Sequence, residues 1–210
     1  YYDRRGLTWA GDGPNTGIQF TKYDGAGRRI QTSSGTQFDT NKYTSDRPDY
    51  PDDDMGIVEV TDYTLDKVGN VTKTIHKELN HDDTNGMDLD GTDFVRTYVY
   101  NWYDAGHRLS ATANYGTYNG DGWKDNGTAP TYGGSPPARS DDILVTSFAY
   151  SAAGHRNDVT GPDAVITHTD HDALGRSYAK TEDYGGLNRK TEYQYNGQGS
   201  LVRIIADPGA

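Results

Sequence analysis

Oxygen ligands at alternate positions are the clearest chemical signal in the chain. Asp88, Asp90 and Asp93 lie in Asp88-Leu89-Asp90-Gly91-Thr92-Asp93, where hard oxygens and a glycine turn suit calcium. The helix–loop–helix calcium pattern is not completed, because Val99 stands where its closing glutamate would be. A solvated Asp-rich turn explains the same residues, and calcium is the only cofactor for which the sequence offers a candidate. Tyr115, Tyr118, Trp123 and Tyr132 form an aromatic group that suits stacking on a sugar or a protein ligand. The competing reading is that they pin down a long polar segment. His107 and His155 each follow a glycine of the same motif, which favours a structural position. His168 and His171 are three apart, a spacing that cannot share one strand face. No Gly-x-Ser-x-Gly elbow is present, and Gly185-Gly186 opens no helix that would cradle a phosphate. Carboxylates are too abundant for any one pair to mark a glycosidase. No catalytic residue is assigned, and the chain reads as no enzyme.

Composition narrows the classes further. There are 17 tyrosines, 26 glycines and no cysteine in 210 residues. The missing cysteine excludes disulfides, thiol catalysis and zinc–cysteine sites. A net charge of −11 argues against nucleic acid, whose binders carry a basic face. No run of about 18 apolar residues exists, so no helical membrane span is expected. Hydrophobic residues make up only 32%, yet an aromatic share of 11% separates the chain from disordered sequences. Glu59, Glu78, Glu182 and Glu192 are the only glutamates; the other acids are aspartates, which favour turns and caps. The sequons Asn70-Val71-Thr72 and Asn126-Gly127-Thr128 matter only where the source glycosylates asparagine.

The elements that position these residues come from a repeat. An aromatic, three residues and a glycine recur as Tyr2 to Gly6, Tyr23-Asp24 to Gly27, Trp102 to Gly106, Tyr150 to Gly154 and Tyr195 to Gly199. Leu65 to Gly69 and His171 to Gly175 replace the aromatic, and Tyr184 to Asn188 replaces the glycine. Alternating aromatics often precede the motif, as in Tyr98-Val99-Tyr100 and Tyr193-Gln194-Tyr195. That alternation predicts a strand with one inward face, and the Asp-to-Gly segment predicts a tight turn into a second strand. Return turns are expected at Thr160-Gly161-Pro162-Asp163-Ala164 and from Asp207-Pro208-Gly209. The tightest spacing is 21 residues, from Gly6 to Gly27 and from Gly154 to Gly175. Two short strands and two turns fit that length, and stacked hairpins would bury their aromatic faces on one another. Longer intervals leave polar insertions near 33–54, 77–93 and 114–142, expected as loops or extended hairpins. Pro48, Pro51, Pro130, Pro136 and Pro137 disfavour central strands there.

Tyr23-Asp24-Gly25-Ala26-Gly27-Arg28-Arg29-Ile30 and His171-Asp172-Ala173-Leu174-Gly175-Arg176 resemble the unit of the YD-repeat, or RHS-repeat, family. Val159-Thr160-Gly161-Pro162-Asp163 and Ile205-Ala206-Asp207-Pro208-Gly209 are similar to its return turn. The resemblance implies an all-β fold of consecutive antiparallel hairpins in a spiralling sheet, shell or tube. Residues 1–210 would be one array of about eight units with polar loop insertions. In the family such shells can enclose a toxin domain, and in teneurins a related barrel serves adhesion. The implied role is a structural scaffold of a secreted or cell-surface protein, read as a fragment or a processed product. Its partners would be other repeats of the chain, or other copies in a homo-oligomer or filament, because end strands invite pairing. An enclosed toxin domain or a cell-surface ligand is the further partner implied. The alternative is an extracellular adhesion module whose insertions bind glycans or a protein.

Overall fold

The computed structural model describes residues 10–13, 17–37, 55–79, 94–119 and 130–206. Among these the fold is all-β, with no helix. The strands are β1 (Ala10–Gly13), β2 (Gly17–Tyr23), β3 (Arg29–Gln37), β4 (Met55–Leu65), β5 (Val71–Leu79), β6 (Phe94–Tyr103) and β7 (Leu109–Asn119). They continue as β8 (Leu144–Tyr150), β9 (Arg156–Thr160), β10 (Ile166–His171), β11 (Ser177–Glu182), β12 (Arg189–Tyr195) and β13 (Leu201–Ala206). Hydrogen bonding follows chain order from β1 to β13 in one sheet. Short turns allow this order, because antiparallel neighbours need only a few linking residues. The chain groups into two compact units: residues 1–100 with 114–132, and residues 101–113 with 133–210.

In the first unit, a buried row crosses the sheet. Phe20 pairs with Ser33, and Ser33 with Val60, each less than a tenth exposed. Tyr98, Tyr100 and Tyr115 complete this core. Tyr100 is fully buried, and its hydroxyl donates to the carbonyl of Pro130. That bond removes the cost of burying a phenol without a partner.

In the second unit the buried set is Trp102, Ala111, Ala113, Val145 and Ala179, with Thr181 beside them. Trp102 donates its indole N–H to the Gly133 carbonyl at 2.9 Å. Arg139 donates from Nε to the Gly161 carbonyl at 3.0 Å and from Nη2 to the Ser147 hydroxyl. Residues 133–139 are thereby strapped to the sheet without forming a strand.

The insertions are partly strand. Residues 33–37, 77–79 and 114–119 extend β3, β5 and β7. Pro130, Pro136 and Pro137 lie outside strands, as their missing N–H predicts. Insertion residues 38–54, 80–93 and 120–129 lie outside the described ones, as do the motif at Tyr2 and Gly6 and the turn from Asp207, whereas 130–142 are described and form no strand.

Two motif frames differ from the sequence reading. In the third motif the left-handed residue is His107, with φ 61°, and not Gly106. His107 N donates to Asp104 O, and Asp104 N to Arg108 O, as Gly27 and Asp24 do in their turn. The unit is therefore Tyr103-Asp104 through His107, one residue later than Trp102 to Gly106. An aromatic and a glycine, Trp102 and Gly106, sit one position before this frame and mimic it. Trp102 instead faces the core, and His107 and His155 are not equivalent. The segment Tyr184 to Asn188 is the return turn between β11 and β12, not a motif copy. Gly186 and Asn188 donate main-chain bonds to Asp183 O, and Asn188 holds the left-handed conformation at φ 52°.

The return turn at Gly161 is as expected. Gly161 N donates to Val165 O and Ala164 N to Gly161 O, with Ala164 left-handed at φ 64°.

Candidate functional site

The recurrent turn is the best-defined side-chain arrangement. Asp24 Oδ1 accepts from the main-chain N–H groups of Ala26 and Arg28, both at 2.9 Å. Arg28 then folds back, its Nε and Nη2 each 2.7 Å from Asp24 Oδ2. Asp104 with Arg108 and Asp172 with Arg176 repeat this clasp. At Asp66 the amide of Asn70 takes the place of the guanidinium, at 2.8 Å. Aspartate suits the site because one carboxylate can satisfy both turn N–H groups and a cation.

These bonds hold the carboxyls below their ordinary range. At Asp24 the Arg28 N–H is the main cause, and at Asp104 and Asp172 it is the arginine side chain. At Asp66 burial pushes upward and is outweighed by the bonds from Asn70.

Each clasp also reaches the following turn. Arg28 Nη1 donates to the Asp66 carbonyl at 3.1 Å. In the second unit, the Arg108 guanidinium lies 4.4 Å from the centre of the Tyr150 ring, and Arg176 lies 4.6 Å from that of Tyr195. Both distances suit cation–π attraction. Each tyrosine replies with its hydroxyl: Tyr150 to Leu109 O and Tyr195 to Ser177 O, both at 2.8 Å. Between them, His155 stacks on His171 with ring centres 5.0 Å apart. The result in the second unit is a ladder of Arg108–Tyr150, His155–His171 and Arg176–Tyr195. One of its glycines is required for both conformation and space. At Gly175, φ is 78° and an added Cβ would lie 2.8 Å from His155 Cε1.

A bulge sets the first rung of the turns at 24–28, 66–70, 151–155, 172–176 and 196–200. Register shifts at Lys22/Tyr23, Thr64/Leu65, Ala149/Tyr150, Asp170/His171 and Gln194/Tyr195. Each shift skips one residue two places beyond the clasp: Ile30, Thr72, Asn157, Tyr178 or Val202. Bulges increase local twist and re-aim side chains.

A second cluster lies on the strands of the second unit. His168 has Nδ1 2.5 Å from Asp158 Oδ1 and Nε2 3.2 Å from Asp170 Oδ1. Asp158 faces it across the β9–β10 pairing, and its ring stacks on Tyr184 at 4.6 Å. The Asp158 bond, helped by Asp170 and opposed by burial, raises the histidine above its ordinary value. The spacing His168-x-Asp170 signals one shared face, but register alone brings in Asp158. The arginine ladder was missed for a similar reason, although its signal, a basic residue five places after the motif aromatic, was present.

The sequence candidates fall elsewhere. Asp88, Asp90, Asp93 and Trp123 lie outside the described residues. Tyr118 belongs to β7, with its side chain outside the description. Tyr115, expected to be exposed, is instead buried against Tyr100 with ring centres 5.1 Å apart. Tyr132 is 42% exposed and meets Tyr100 edge-on at 5.6 Å. Burial and then the charge of Asp66 push its phenol upward. His168 and His171 make separate contacts, as their spacing predicts. A depression of about 400 Å³ in the first unit is lined by Lys22, Asp24, Arg28, Asp62 and Tyr63 among others. Two of its charges, Asp24 and Arg28, already bind each other. Chemically, the turn arrangement joins neighbouring turns through paired charges and stacked rings.

No family model matches the chain, and no curated protein does. Solved structures do show similarity. The crystal structure of TcdB2-TccC3-Cdc42 matches over 97% of this chain at 14% identity and a TM-score of 0.39. That of TcdB2-TccC3 without its hypervariable C-terminal region matches over 98% at 16% identity and 0.39. A Tc holotoxin pore structure from Photorhabdus luminescens matches over 97% at 14% identity and 0.33. The matched chains are far longer, and this one spans 12%, 11% and 12% of them respectively.

Proposed function

We propose that this chain is a scaffold segment of the YD-repeat, or RHS-repeat, kind, without catalysis of its own. The observation that supports it is the recurrence of one turn at Asp24, Asp66, Asp104 and Asp172, with Arg28, Arg108 and Arg176 each reaching the next turn. Such a ladder adds a similar interface with every hairpin, so stability grows by stacking. The segment contributes to a shell, or to an assembling tube or filament, of a secreted or cell-surface protein. Electron microscopy of the purified chain tests the assembly: tubes, filaments or curved sheets are expected. Uniform monomers across a wide concentration range would overturn it.

Adhesion through the insertions is the second reading, and the exposed run 131–136 with Tyr132 supports it. A glycan array probed with the wild-type chain and with Tyr132→Ala separates it from the scaffold. Binding lost in the variant favours adhesion.

A further inference from the structure

The turn at Asn196 departs from its equivalents in a way that carries chemistry. Its main chain is the same: Asn196 N donates to Ser200 O and Gly199 N to Asn196 O, both at 2.9 Å. Its side-chain carbonyl, Oδ1, accepts from Gln198 N at 3.0 Å and Ser200 N at 2.9 Å. Asp24, Asp104 and Asp172 accept the same pair of bonds. Here the acceptor is an amide, and the next residue is Gly197. An added Cβ at Gly197 would meet nothing within 4 Å, and the residue is exposed.

Two N–H donors on one carbonyl oxygen draw electrons from its carbon and stabilise negative charge on that oxygen. That is the geometry of an oxyanion hole. The Gly197 main-chain nitrogen can close a five-membered ring on Cγ, and Gly197 has no side chain to obstruct the approach.

We propose that Asn196 deamidates within its own turn. The Gly197 nitrogen, losing its proton to solvent base, forms a bond to Asn196 Cγ. The Cγ–Nδ2 bond breaks, and the amide leaves as ammonia with a solvent proton. Water then adds to Cγ, the bond from Cγ to the Gly197 nitrogen breaks, and that nitrogen regains a proton, leaving the intact peptide bond and an aspartate side chain. No oxidant or reductant is needed, and water is the only co-reactant.

The turn also selects the product. Opening the imide at the main-chain carbonyl would give isoaspartate, which routes the backbone through Cγ. That lengthens the chain by one methylene and turns Oδ1, the acceptor of Gln198 N and Ser200 N, into a main-chain carbonyl oxygen. The pairing of Tyr195 with Leu201 disfavours the longer path. Aspartate keeps every bond of the turn. Arg176 borders this turn, with Nη1 3.6 Å from the place a Gly199 Cβ would take. Arg28 borders the Asp66 turn and donates to its main-chain carbonyl, a bond that either side chain permits.

The test holds the folded full chain at mildly alkaline pH and follows residue 196 by peptide mass spectrometry. Asn119, followed by Gly120, serves as an internal comparison. Parallel samples are unfolded in urea. The expected result is conversion at 196 in the folded chain, aspartate predominating there and isoaspartate in urea. Gly197→Ala should slow the conversion several-fold while leaving the melting temperature near wild type. Asn196→Asp should fold and melt at or above the wild-type temperature. An intact Asn196 in the folded chain, with conversion in urea, would show that the turn protects the amide and would overturn the proposal. Predominant isoaspartate in the folded chain would overturn it equally.

Discussion

The turns at 104–108 and 151–155 lie in the same unit and close the same main-chain bonds with different side chains. Asp104 N reaches Arg108 O at 2.9 Å, and Ser151 N reaches His155 O at 2.8 Å. Asp104 adds a carboxylate that grips the Arg108 guanidinium, whereas Ser151 Oγ accepts only one turn N–H, from His155 at 3.2 Å. Loop closure therefore needs neither the aspartate nor the arginine. What the basic position supplies is a rung to the next turn, through a cation on Tyr150 in one case and a ring on His171 in the other. The nature of that rung then fixes how much room the next turn has. His155 fills the space above Gly175, while the nearest Arg108 atom to a Cβ at Gly154 would be 3.8 Å away.

The largest effect should come from Gly175→Ala. It combines a left-handed φ with a Cβ driven into the His155 ring, and a loss of about 3 kcal/mol is expected in chemical denaturation. Gly154→Ala carries only the conformational cost, about 1 to 2 kcal/mol. Equal losses would show that ring crowding does not distinguish the two turns. Replacing the rung itself is next. Arg108→Ala and Arg176→Ala should each lose about 1 kcal/mol of cation–π contact, and Arg108→Lys should recover part of it. His107→Gly should relieve about 1 kcal/mol of backbone strain, because an L side chain is strained at φ 61°. A melting temperature that falls would show that the histidine's contacts outweigh that strain.

The smallest expected effect is a pH dependence at His168. Its folded value is raised, so its contribution is complete below the ordinary value of 6.5 and fades as pH rises through the folded value. Asp158, Asp170 and Tyr184 face the ring, and Lys190 and Glu192 belong to the same unit on β12. The melting temperature of the second unit should fall from mildly acidic to mildly alkaline pH. Asp158→Asn should flatten that slope, and an unchanged slope would assign the effect to another group.

Much of the fold was legible because its signals are local. The pattern at Tyr23 to Arg28 contains nearly everything the turn needs within six residues: the acceptor, the left-handed glycine and the returning arginine. The error at Trp102 and Gly106 shows where local reading ends. Both residue types fit the pattern, and only main-chain bonding shows that Asp104 and His107 occupy the active frame. Tyr184 to Asn188 misled for the converse reason, since an asparagine in the left-handed region serves a return turn equally well. Tyr115 fits a ligand-stacking group by residue type, yet the alternation of β7 turns it inward against Tyr100.

That this chain forms hairpins at intervals follows from the order of its residues, because turn chemistry depends on residues a few positions apart. The same order determines the polarity of the insertions and the unsuitability of the His168–His171 pair. Which hairpin side chains meet depends on packing between strands distant in the chain. A bulged residue in each unit shifts the register, and a shift of one residue sends a strand's side chains to the other face. The Arg176–Tyr195 rung and the Asp158–His168 contact both depend on that register, which residues far apart in the chain settle together.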